Sequence, residues 1–139
     1  MIDIARKTAQ VGDALPELKF GPITRTTLAL YAGVSKDHNP IHIDIDFAKK
    51  AGMDDVFAHG MLSMAQLGRT VTDWAGHENL RSLSTRFTAL TPVGATVACS
   101  GEVSERFEKD GEELLQIQLQ AKIDDGTVTL TGEALVAAS

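Results

Sequence analysis

Basic charge is in short supply in this sequence. It has 13 Lys and Arg against 19 Asp and Glu, a formal charge of −6 at neutral pH. That balance excludes a nucleic-acid partner, because phosphate binding needs a basic surface, and it disfavours a basic helix lying on a membrane. Cysteine is nearly absent as well. Cys99 stands alone and cannot form an intrachain disulfide, so nothing calls for an oxidising compartment. No apolar run is long enough to span a bilayer. The opening segment Met1-Ile2-Asp3-Ile4-Ala5-Arg6-Lys7 places an acid early and has no long apolar core, so no secretory signal is expected. No Pro/Gly/Ser-rich linker, repeat or low-complexity tract divides the chain, and residues 1–139 are expected to form one domain. With 43% hydrophobic and 23% charged residues, that domain can fill a core. A soluble, cytoplasmic protein is the expectation.

What is present divides into two halves of different character. From Leu80 onward the pattern has period two. Leu83, Thr85, Phe87 and Ala89 alternate with polar residues, then Val97, Cys99, Gly101 and Val103, then Leu115, Ile117, Leu119, Ala121 and Ile123. Val128, Leu130, Ala134 and Val136 follow, with Thr127, Thr129, Thr131 and Glu133 on the other face. Asp110-Gly111 and Asp125-Gly126 are hairpin-turn signals. These features predict an antiparallel sheet with one packed and one wet face, and such a sheet needs a cover. The cover is predicted over His59–Ala75, a helix so apolar that it should be wrapped on most sides, with Gly76 as its stop. Thr24 is expected to cap a helix with Leu28, Tyr31 and Ala32 inward, ending at Gly33. Asp46 is expected to cap a short helix Phe47–Ala51, and 17–23 suits one more strand. The fold class predicted is α+β, an antiparallel sheet curled around one long helix.

Two polar tracts stand out. The first is Asp37-His38-Asn39-Pro40-Ile41-His42, which Pro40 keeps out of helical geometry. A carboxylate can take a proton from water, and an imidazole can orient that water and exchange a proton near neutral pH. The same residues also suit a plain role, with Asp37 and Asn39 capping a tight turn and His42 a satisfied polar side chain. His38 and His42, four apart, would hold a metal only on a helical face. Pro40 between them, and the lack of a Cys or third His at a suitable distance, argue against it, so no metal is expected. The second tract, Ala58-His59-Gly60-Met61-Leu62, opens the long helix. Gly60 admits close approach to backbone N–H groups that have no intrahelical partner and can stabilise charge on a carbonyl oxygen. Taken alone, His59 is equally a helix cap and Gly60 a packing glycine.

Together, Asp37-x-Asn39-Pro40-x-His42 and Phe57-Ala58-His59-Gly60-Met61-Leu62 ahead of an apolar helix resemble the MaoC-like dehydratase family, which includes (R)-specific enoyl-CoA hydratases. Arg86-Phe87 and Pro92-Val93-x-Ala95 extend the resemblance over most of the chain. It implies a hot-dog fold and reversible hydration of a trans-2-enoyl thioester to the (R)-3-hydroxyacyl thioester. It implies further that Asp37 is the principal base and His42 its proton-sharing partner. Asn39 would shape the turn, the Gly60 N–H would hold the thioester oxygen and His59 would shape that mouth. The acyl-CoA or acyl-carrier-protein thioester is then the substrate, and no cofactor is needed. Family members of this length imply a homodimer, or a heterodimer with a related subunit. A non-catalytic acyl-binding subunit and a hot-dog thioesterase are the competing functions.

Arg86, and less so Arg81, Arg69 and Lys50, are candidates for contacting the carrier, against the plain reading of solvated surface charges. Cys99 is expected as a buried thiol, and Met53, Met61 and Met64 as core or tunnel lining. Asp44 is expected on a solvated face.

Overall fold

The alternating apolar residues of the second half pair into strands as the period demands. In the computed structural model, which describes residues 5–139, β1 (Leu18–Phe20), β2 (Leu80–Phe87), β3 (Val97–Lys109), β4 (Glu112–Ile123) and β5 (Val128–Ala137) form one antiparallel sheet. The first four residues of the opening segment lie outside the described residues. Spatial order is β1-β3-β4-β5-β2, so β1 and β2 are the edges. Val97, Cys99, Gly101 and Val103 on β3 are all buried, as are Leu115, Ile117, Leu119, Ala121 and Ile123 on β4. Their common face meets α3 (Gly60–Ala75), which packs against all five strands. This is the hot-dog arrangement that the resemblance implies.

Helix α3 buries Leu62, Ser63, Leu67, Thr70, Val71 and Ala75. Each fully buried aliphatic side chain here contributes roughly 1.5–3 kcal/mol. The prediction that this helix is wrapped on most sides needs correction. Met61, Ala65, Arg69 and Asp73, four residues apart, form a stripe left exposed within the chain. Cys99 is fully buried under α3, and burial pushes its thiol up to about 11. No helix among the described residues is long and apolar enough to cross a membrane.

Two local readings also change. Helix α1 (Arg25–Ser35) begins at Thr24 as expected, through a reciprocal box in which Thr24 Oγ1 accepts from Thr27 N at 3.1 Å. It runs past Gly33, and the chain turns at Lys36 (φ 62°), a left-handed residue. Helix α2 (Ile45–Lys50) is capped by Asp44, whose Oδ1 accepts from Asp46 N and Phe47 N. Asp46 stands instead in the first turn, where its charge suits the helix dipole.

The fourth correction lies in the sheet. Ala121 pairs with Leu130 and Lys122 with Val128, so Thr129 is an extra residue on β5. This bulge turns the Thr129 side chain inward, where it is buried and donates to the Ala121 carbonyl at 3.3 Å. The Thr129 carbonyl accepts from both Thr88 N and Ala89 N, and β2 stops at Phe87. The expected inward face of β2 therefore fails at its end, with Phe87 53% exposed and Ala89 outside the strand. The chain then swings across to the segment before α3, where Ala58 N donates to the Thr91 carbonyl at 2.9 Å.

Candidate active site

The first polar tract folds by local hydrogen bonds. Asp37 N donates to Ser35 Oγ, Asn39 N to Asp37 Oδ1 and Ile41 N to Asn39 Oδ1, at 3.1–3.2 Å. Asn39 thereby caps a 3-10 turn, Pro40–His42, in which Pro40 fills the first position, where an N–H would be unsatisfied anyway. Asp37 is exposed, and His42 is buried at 9% exposure. The turn sends the His42 ring inward, where its Nδ1 donates to the Phe57 carbonyl at 2.7 Å. The lone pair is therefore on Nε2.

The second tract meets the first. His59, at the N-cap position of α3, is 1% exposed. Its Nε2 donates to the Asp37 carbonyl at 3.1 Å. Its ring stacks on His42 with centroids 4.0 Å apart, and Tyr31 from α1 meets it edge-on at 4.8 Å. Ligand atoms of Asp37, His42 and His59 all lie within 4.8 Å of one another. The spacing suits a water molecule and a cation alike. Sequence spacing offered no third histidine, and the fold supplies one from seventeen residues downstream. His38, the metal partner considered from spacing, is exposed and outside this group.

Burial holds the His59 imidazole below its ordinary value, as does the neighbouring His42, although the bond to the Asp37 carbonyl and the Asp37 charge oppose this. The Tyr31 hydroxyl is pushed up by burial and by the charge of Asp37. Two buried side-chain polar atoms have no partner among the described residues, His59 Nδ1 and Ser63 Oγ.

Among the described residues no side chain caps the start of α3, so the N–H groups of Gly60 and Met61 have no partner there and lie at the positive end of the helix dipole. A Cβ at Gly60 would lie 2.9 Å from the Phe87 ring, so glycine keeps this backbone within reach. An apolar cavity of about 260 Å³ opens here, lined by Phe57, Ala58, Met61, Phe87 and Leu90 beside Gly60. A larger one, about 690 Å³, lies between Leu18 and the Thr70–Trp74 end of α3 and contains none of the three clustered groups. The smaller cavity does not contain them either, but it is lined by Phe57, Ala58 and Gly60, the residues on either side of His59 in the chain.

The structure brings Asp37, Asn39, His42, His59 and Gly60 together and leaves Arg86 apart. Arg86 sits on the outer face of the sheet beside Ser84, Gln118 and Glu133. Arg81 is paired with Glu112, Arg69 with Asp73, and Lys50 ends α2 in solvent. Sequence reasoning missed the part played by Tyr31 and by the Phe57 carbonyl. The inward placement predicted for Tyr31 on α1 was the one available signal.

The family model described as MaoC like domain matches residues 7–124. The chain belongs to the MaoC-like dehydratase family. Fatty acid synthase subunit beta of Saccharomyces cerevisiae is 31% identical over 123 residues, which is 86% of this chain but 6% of that protein. The 3-oxo-4,17-pregnadiene-20-carboxyl-CoA hydratase beta subunit of Mycobacterium tuberculosis is 36% identical over 99 residues, 68% of this chain and 73% of that one. Among solved structures, an R-hydratase from Pseudomonas aeruginosa in its unliganded form superposes with a TM-score of 0.84 at 27% identity. That match covers 97% of this MaoC-like chain and 86% of the hydratase.

Proposed function

We propose that this MaoC-like protein catalyses reversible addition of water to a trans-2-enoyl thioester, giving the (R)-3-hydroxyacyl thioester. One observation carries the reading. The Asp37 carboxylate and the His42 imidazole come within reach of one water-sized ligand and cluster with His59, the residue that precedes the uncapped start of α3. The Asp37 carboxylate takes a proton from the water, and His42 Nε2 orients it by accepting its other hydrogen. The water oxygen bonds to Cβ, the Cα–Cβ π electrons move toward the thioester, and the carbonyl oxygen gains negative charge. The Gly60 N–H meets that charge, and Cα then takes the proton that Asp37 removed from the water, which completes the product and restores the carboxylate. Dehydration is the same sequence reversed.

The likeness to an R-hydratase supports the stereochemistry. The mycobacterial hydratase subunit supports a CoA thioester, and the yeast synthase subunit supports a fatty-acid one, carried by CoA or an acyl-carrier protein. The carrier is part of the substrate, and no separate cofactor is needed. A homodimer fits the open edge of β2, flanked by exposed Phe87 and Met61, and a related subunit in a heterodimer would use the same edge. Sedimentation of the purified chain decides between them.

The test is bleaching of the conjugated-enoyl absorbance of crotonyl-CoA or a longer analogue, followed by chiral analysis of the product. Expected is (R)-3-hydroxyacyl product with no free thiol and a rate unchanged by chelation. CoA release matching substrate loss would make the protein a thioesterase. Activity lost to a chelator and restored by a divalent ion would make the three-residue cluster a metal centre.

A further inference from the structure

Asp37 poses a positional problem for any chemistry at this site. It lies on an exposed tract, and its carboxylate is engaged by the Asn39 N–H two residues away. A bond that close in sequence shapes the turn but does not register it against α3. Two hydrogen bonds of long range do that, and both run to the segment ahead of the helix. One joins His42 Nδ1 to the Phe57 carbonyl, and the other joins His59 Nε2 to the Asp37 carbonyl. His59 adds a second constraint through its stacking on the His42 ring. One buried side chain therefore touches both members of the proposed dyad.

The nitrogens of His59 say which form it takes. Nε2 faces a carbonyl oxygen and must carry hydrogen. Nδ1 is buried with no partner among the described residues, so a proton there would leave a buried donor without an acceptor. The His42 ring 4.0 Å away also disfavours a charge on His59. Burial depresses the basicity of His59 in the same direction.

We propose that His59 is a positioning residue, a neutral imidazole that ties the Asp37 backbone to the start of α3 and sets the plane of the His42 ring. The proposal rests on the hydration reading for its kinetic consequence, but its geometry can be tested independently.

Long-range nitrogen–proton spectra of the intact protein at neutral pH should show His59 as the Nε2–H tautomer and His42 as the Nδ1–H tautomer. A protonated or Nδ1–H His59 overturns the proposal. His59→Phe keeps a stacking ring and loses the donor, while His59→Gln keeps a donor and loses the ring. Both are expected to lower kcat, His59→Phe by on the order of 10²-fold, with KM within about twofold of the parent. In folded His59→Phe the His42 signals should lose their single-tautomer signature. An unchanged kcat in that variant, or an effect confined to KM, overturns the proposal. A parent protein that hydrates no enoyl thioester defeats the reading of function instead, and the tautomer spectra still decide the role of His59.

Discussion

The sheet and the excursion inserted ahead of α3 solve opposite problems. Residues 80–138 are regular, and their stability comes from apolar side chains repeated at every second position under one helix. Residues 24–59 have little core of their own, with Leu28, Ala32, Ala48, Val56 and Ala58 as their fully buried apolar side chains besides nothing larger than a half-buried Tyr31 or Phe57. Polar bonds hold this region instead, from the Thr24 box and the Asn39 and Asp44 caps to the carbonyls of Asp37 and Phe57 that receive two histidines. The comparison teaches that stability and chemistry occupy separate stretches of sequence in this protein, so each can be damaged alone.

Asp37→Asn should give the largest effect on one side of that divide. Loss of the base should lower hydration by on the order of 10²–10⁴-fold, while the melting temperature stays at the parent value because the side chain is exposed. Enzyme assays beside calorimetry check both halves of the claim, and a large fall in melting temperature would erase the distinction. Leu115→Ala should do the reverse. Leu115 is fully buried on β4, and its truncation should destabilise the protein by about 2–5 kcal/mol, measured by denaturant unfolding. The activity per folded molecule should be unchanged.

The smallest effect tests where the two regions meet. Burial lowers the His59 pKa in the folded state, so between that value and the unfolded one the unfolded chain binds more protons. Its contribution to stability is complete above the ordinary histidine value and is lost as pH falls. Melting temperature should therefore decline from about pH 7 toward about pH 5, before the carboxylates that sit below their usual range, Asp55, Glu112 and Asp125, begin to titrate. His59→Phe should flatten that decline. An identical decline in the variant would assign the slope to other groups.

Legibility in the sequence follows the same boundary. Where structure rests on a repeated local rule it could be read, as in the buried faces of β3 and β4, the turns at 110 and 125 and the course of α3. Where an exception intervenes it could not. Nothing in the alternation of β5 marks Thr129 as the residue that breaks step, and nothing in α3 marks the stripe from Met61 to Asp73 as wet within one chain. At the site, Asp37, Asn39 and His42 were legible because one short turn carries them. The stacking of His59 on His42, and the approach of Tyr31, are contacts between separate elements that no spacing rule reports.

The extra residue in β5 has a reach beyond its own strand. By gathering the N–H groups of residues 88 and 89 onto one carbonyl, it launches the link that braces Ala58 and, next to it, the carbonyl holding the His42 ring. Hairpin tips at 110 and 125 can lengthen or shorten at little cost, since they point into solvent. Trimming one residue at 129 would instead reset the phase of the final strand, and an imidazole some ninety positions earlier would lose its anchor.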